Sequence, residues 1–240
     1  MKISTFIGSL FLCLAGVKNH HRALTVPSHI GRSIDTAFLL KEHHADYYQV
    51  AYIEKNRNSA ECKGLLDFRL DSTENEEYRE NCKALYKNAV RGSKKYKMTG
   101  LPRHWLPIYK HAGKYYLYSP SESGVEGRLM VTDTTVCFMY LDGYYPEKIL
   151  AVTNQGDKNW RFNVFSPISG MHQIIVHTID PKTHLAVWGD LNRGDNRYNL
   201  YVPSEYANNF DMVVNRDRGD VKVTEFNFDK IDYKALLKRH

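Results

Sequence analysis

A chain of 240 residues with 42% hydrophobic and 25% charged residues supports a full core, in one large β domain or two small ones. Seventeen Tyr, ten Phe and three Trp exclude large-scale disorder, which requires a chain poor in aromatic residues. The net charge of +6 is spread among acids, with Lys94-Lys95-Tyr96-Lys97 the one tight basic run, and this argues against nucleic acid as a partner.

The chain opens with Lys2, an uncharged apolar run from Ile3 to Ala15, and the small pair Ala15-Gly16 before Lys18. This is the layout of a secretory signal peptide over residues 1–16, and it predicts a secreted or periplasmic protein. A buried N-terminal strand is the competing reading. Cleavage removes Lys2 and leaves a charge of +6 − 1 = +5. No other segment is long and apolar enough to span a membrane.

Residues 17–99 form an N-terminal segment expected to pack on the strand-rich remainder of the chain. A short helix is expected over Ile34–His44, then strands at Tyr47–Glu54 and Leu65–Leu70. Ser72 or Thr73 can cap a helix over 74–91, because Glu74, Glu76 and Glu77 suit its positive end. Tyr78, Cys82, Leu85, Tyr86 and Ala89 recur along it at helical spacing. In an oxidising compartment Cys62 and Cys82 can close a disulfide loop of about 20 residues, or all three remaining thiols stay reduced. Cys137, inside an apolar run, reads as a packed thiol.

Residues 100–240 read as short strands separated by turn signals. The strands are expected at Lys114–Ser119, Gly127–Thr132, Thr135–Leu141, Lys148–Thr153, Asn159–Phe165, His172–Ile179, His184–Gly189, Arg197–Val202, Asp211–Asn215 and Val221–Phe228. Such spacing predicts an antiparallel meander forming a closed or nearly closed β-barrel, with a short helix at Asp232–Lys238. Trp160, Phe162 and Val164 alternate with Arg161 and Asn163, so the first set faces inward. Val136 to Leu141 is apolar on both faces, so its outer side needs a cover such as the 74–91 helix.

The segment 188–214 echoes 105–131 with eight ungapped identities, among them Trp105/Trp188 and the strand ending Tyr115-Tyr116-Leu117-Tyr118-Ser119-Pro120 against Tyr198-Asn199-Leu200-Tyr201-Val202-Pro203. A strand-turn-strand unit used twice would account for the echo, and coincidence within a Tyr-rich sequence is the competing reading. In each copy Pro stops the ladder and Ser-Glu starts a turn or short helical bend.

No motif of catalysis or cofactor binding stands out. Arg193-Gly194-Asp195 and Arg218-Gly219-Asp220 are ordinary turn residues as well as adhesion tripeptides. Asp190 to Asn196 offers alternating oxygens without the closing Glu of a calcium loop. His172 and His177 lie five apart on one strand and so face opposite sides, each read as structural. No Cys/His spacing suggests a metal, and no cofactor or catalytic residue is assigned.

Gly113 to Pro120, Asp180-Pro181-Lys182 with Ala186-Val187-Trp188, and Tyr198 to Pro203 resemble the lipocalin-like barrels found among secreted bacterial proteins. Lipocalins place Gly-x-Trp near the first strand, whereas Gly100 precedes Trp105 by five positions here. The resemblance implies a calyx for a small apolar ligand. The leading expectation is an exported, non-catalytic binding protein whose interior is lined by Tyr115, Phe138, Trp160, Phe162, Trp188 and Tyr198. A secreted hydrolase with carboxylates at the barrel mouth, or a surface module binding a protein partner, are the alternatives.

Overall fold

Nine of the ten strands expected beyond Trp105 are realised, and hydrogen bonding carries seven of them, with a further strand at His104–His111, round into a closed ring. The computed structural model describes residues 37–43, 47–88, 94–121, 127–140, 142–156, 158–191, 197–219 and 224–239. The expected signal peptide, the Arg193-Gly194-Asp195 turn, Asp220 and most of the Asp190–Asn196 loop lie outside them. The described residues open with β1 (Ala37–His43), β2 (Tyr47–Glu54), α1 (Ala60–Leu66) and α2 (Ser72–Asn88). Nine strands follow: β3 (His104–His111), β4 (Lys114–Ser119), β5 (Arg128–Val131), β6 (Thr135–Tyr140), β7 (Gly143–Asn154), β8 (Asn159–Ser166), β9 (Gly170–Asp180), β10 (Leu185–Asp190) and β11 (Arg197–Pro203). A 3-10 turn (Ser204–Asn209), β12 (Asp211–Gly219) and α3 (Tyr233–Arg239) complete it.

Eight strands close an antiparallel barrel in the order β3-β11-β10-β9-β8-β7-β6-β5, with β5 returning to β3 through His104↔Met130 and Trp105↔Leu129. Beyond this level β3 leaves β5 and pairs with β4 instead, at Tyr109↔Tyr116. The outward branch then runs β4-β12-β2-β1. β12 lies parallel to β4, so the fold is a barrel with a sheet extension rather than a simple meander. Ala112 and Gly113, both at positive φ (48° and 80°), supply the two-residue turn whose twist suits the β3–β4 hairpin. At the β9–β10 corner the Asp180 carboxylate accepts from Lys182 N–H (3.0 Å) and the Thr183 hydroxyl (2.6 Å).

Side-chain alternation divides the apolar residues between two cores. The barrel interior holds Trp105, Leu129, Val136, Trp160, Phe162, Val176 and Trp188. The outer faces of β3, β10 and β11 form a second core with Leu117 and Met212, covered by α1, the 3-10 turn and α3. α2 covers the outer wall of β6 and β7 around Cys137, Met139 and Tyr144, as the two-sided apolar run required.

Three expected elements take another form. Ala37–His43 is a strand, not part of a helix, because a full antiparallel ladder to β2 satisfies its backbone. Leu65–Leu70 straddles the end of a helix: Ser59 Oγ accepts from Cys62 N–H at 3.0 Å and starts α1, and Arg128 donates to the carbonyls of Gly64 and Leu65 near its end. Of Val221–Phe228, residues 224–228 join no ladder and instead strap the extension, with Phe226 and Phe228 against Tyr109 and Tyr118. The echoed units are both hairpins, and Trp105 and Trp188 meet inside the barrel at 5.2 Å between rings. Their registers differ: Tyr116 faces Tyr109, whereas its counterpart Asn199 faces Trp188, four residues out of step.

Candidate functional site

The two ends of the barrel are built differently. One end is stoppered by residues 94–103. Tyr96 N–H donates to Asp133 O at 2.8 Å, the Tyr96 hydroxyl to Leu150 O, and Trp105 Nε1 to Pro102 O at 2.9 Å, while Met98 and Leu101 pack into the core. The other end opens into a cavity of about 820 Å3 that runs from Phe138, Tyr145, Glu147, Ile174, Trp188 and Tyr201 of the barrel out to Leu65 of α1 and Ser119 of β4. That size suits a small organic molecule.

Register brings a polar cluster into this mouth. Ile149 pairs with Val164, and Val164 with His172, so Glu147, two residues before Ile149, shares the inward face with His172. Ile174 pairs with Asp190, which places that carboxylate beside them. His172 Nε2 lies 2.9 Å from Glu147 Oε2 and 3.9 Å from Asp190 Oδ2, with the histidine and glutamate side chains only 2% and 6% exposed. These two carboxylate oxygens therefore stand no more than 2.9 + 3.9 = 6.8 Å apart. His172 Nδ1 is 3.2 Å from Gly170 O. Both ring nitrogens thus face acceptors, the arrangement of a doubly protonated imidazolium. Burial pushes against that charge, but the Glu147 hydrogen bond and charge, the Gly170 carbonyl and Asp190 outweigh it and raise the His172 pKa above its ordinary value.

Below the cluster lies an aromatic column. Phe162 stacks on Trp160 at 6.3 Å and on Trp188 at 6.4 Å, and Trp188 meets Tyr201 edge-on at 6.0 Å. Tyr201 donates its hydroxyl to Gly127 O at 3.1 Å. The Trp188 indole N–H is buried and meets no oxygen or nitrogen acceptor among the described residues. At the rim, Tyr140, Tyr145, Ile168 and Met171 remain exposed.

Of the residues expected inside, Phe138 and Trp188 line the cavity, and Trp160 and Phe162 fill the barrel beneath it. Tyr115 and Tyr198 stand outside. Tyr115 packs in the outer core, and Tyr198 lies against Gly189 and stacks at 5.8 Å on Tyr233 of α3. On β11 it is Asn199 and Tyr201 that share Trp188's face, and alternation sends Tyr198 the other way. Sequence reasoning passed over Glu147, read His172 as structural and weighed Asp190 only as the start of a candidate calcium loop. Their signal was an inward period of two, Glu147-x-Ile149 and His172-x-Ile174-x-Val176, hidden at β7 because the expected strand began at Lys148.

Cys62, Cys82 and Cys137 are free thiols. No group of three or more His, Cys, Asp or Glu among the described residues is placed to hold a metal ion. Among the same residues, no helix is long and apolar enough to cross a membrane. Comparison with known protein families, with curated proteins and with solved structures finds no match for this chain.

Proposed function

We propose that the chain is an exported binding protein that holds a small, largely apolar molecule in the open end of its barrel. The observation that carries this reading is the contrast between a stoppered, ring-filled lower half and an open end where Phe138, Tyr145, Ile174, Trp188 and Tyr201 wall a cavity that, with its extension towards α1 and β4, measures about 820 Å3. The export part of the reading rests on Lys2, the apolar run Ile3–Ala15 and Ala15-Gly16.

Titration of the processed chain with Nile red, a flat neutral dye with one carbonyl, tests the site. Saturable one-to-one binding with enhanced dye emission is expected. Ser166→Trp, which places an indole in the cavity wall, is expected to weaken it at least tenfold. Absence of saturable binding, or equal binding by the Ser166→Trp variant, sinks the reading.

The carboxylate pair at the mouth favours a second reading, a hydrolase using Glu147 and Asp190. Their nearest oxygens stand no more than 6.8 Å apart, a limit that admits the separation of about 5–5.5 Å used by retaining glycosidases. His172 stands between them with both nitrogens engaged, so it is not a free base for Ser166 in the same wall. Turnover of aryl glycosides or aryl esters that disappears in Glu147→Gln would make this the better reading.

A further inference from the structure

The outer wall of the mouth is the sheet formed by β6 and β7, and α2 lies across it. Three contacts fix how the helix is seated. The Tyr78 hydroxyl is 3.2 Å from Thr135 Oγ1, Asn81 Nδ2 donates to Tyr144 O at 2.8 Å, and Lys148 Nζ lies 5.3 Å from the centre of the Tyr86 ring. On the helix these anchors bracket Cys82, one turn after Tyr78 and one turn before Tyr86. On the sheet they bracket Cys137. Cys137 pairs with Pro146, while Thr135 pairs with Lys148 and Met139 with Tyr144 on either side. Cys137 points outward with Met139 and Tyr144, between the inward Val136 and the cavity-lining Phe138. A helix pinned at these three points puts Cys82 on the side of α2 that faces Cys137, near enough for a Cys82 thiolate to act on the Cys137 thiol.

We propose that Cys82 and Cys137 are an oxidation site, closing a disulfide that fastens α2 to the wall of the ligand mouth. The oxidant is a small disulfide such as oxidised glutathione. The Cys82 thiolate, at the half-buried and accessible position, attacks one sulfur of that disulfide and expels a glutathione thiolate. The Cys137 thiolate then attacks the Cys82 sulfur and expels the second glutathione. Two protein thiols are oxidised, one glutathione disulfide is reduced, and the two thiol protons end on the two glutathiones. Electrostatics agrees with the seating. Burial first, and then the charge of a neighbouring Cys82 thiolate, push the Cys137 thiol up to about 12. The second step is therefore the slow one and accelerates with rising pH. Cys62 belongs to a different core, with Leu106, Leu117 and Met212. The disulfide is independent of what the mouth binds.

The test is incubation of the folded chain with oxidised glutathione at alkaline pH, and separately refolding in a glutathione redox buffer, each followed by intact mass and peptide mapping. A mass lower by two hydrogen atoms and a Cys82–Cys137 peptide are expected, unchanged in Cys62→Ala and abolished in Cys82→Ser. The oxidised form should melt higher by about 5 °C or more, since a long loop is closed. A Cys62–Cys82 peptide in the wild-type chain overturns the assignment. Full recovery of all thiols by alkylation after both treatments overturns it equally.

Discussion

The two halves of one barrel show how the same eight strands can serve packing or leave room. In the lower half the inward positions are apolar, with Ala186 among the rings of Trp105, Trp160, Phe162 and Trp188, and the 94–103 stopper closes the end. In the upper half the inward positions of the same strands carry Glu147, Ser166, His172 and Asp190 beside rings, and space remains. Barrels of about eight strands sit at the boundary between filled and hollow, so side-chain choice decides which end is which. On the proposed function, packing and binding are segregated along the barrel axis.

The largest expected effect tests that segregation directly. Phe162→Ala removes a fully buried ring from the column between Trp160 and Trp188 and is expected to cost about 3–5 kcal/mol in chemical unfolding. Tyr145→Ala at the rim, where the ring is 38% exposed, is expected to cost less than about 1 kcal/mol while weakening Nile red binding. Equal losses from the two variants would break the comparison.

The buried ion pair belongs to both halves, since it lines the mouth but is itself withdrawn from water. Glu147→Gln leaves the imidazolium with only the more distant Asp190 carboxylate and is expected to cost about 2–4 kcal/mol. A loss below about 0.5 kcal/mol would show that the cluster is hydrated and that the cavity floor lies deeper than His172.

The same pair gives the mouth a pH signature. The folded His172 pKa is raised above the histidine value of 6.5. Its contribution to stability is therefore fully present below about 6.5 and is lost as pH rises through the higher folded value. Melting temperature should fall over that alkaline-going window in the wild type, and the fall should flatten in Glu147→Gln. An increase in melting temperature over the window would mean that the ring is held neutral.

The packed half was legible because its evidence is local. Trp160-Arg161-Phe162-Asn163-Val164 alternates within one strand, and His111-Ala112-Gly113 or Asp180-Pro181 mark where strands turn. The mouth was less legible because its cluster is assembled from β7, β9 and β10, and only register brings Glu147, His172 and Asp190 together. A histidine within an apolar run looks structural until a carboxylate is found beside it. The sheet extension was least visible. Nothing in Asp211–Asn215 announces parallel pairing with β4, and nothing in Val221–Phe228 shows that the Glu225 carboxylate will take hydrogen bonds from Tyr118, Ser121 and Asn215 rather than let the segment join a ladder. Phe38-Leu39-Leu40 fits a helix face as well as a strand, and only the Tyr47–Glu54 partner decides.

The smallest effect is expected at the tip of the β8–β9 turn, where Ile168 is 81% exposed beside the open end. Ser166 and Gly170 pair across this turn, and Gly170 takes a positive φ of 70°, so the backbone is held without help from the isoleucine. Ile168→Ser removes apolar surface that folding does not bury and should change unfolding free energy by less than about 0.5 kcal/mol. A measurable loss of Nile red affinity with unchanged stability would place Ile168 among the groups that close over a guest. A loss of stability of about 1 kcal/mol or more would instead mean that Ile168 is packed in solution. In that case the upper end is covered, and the division between a sealed half and an open one fails at its most exposed residue.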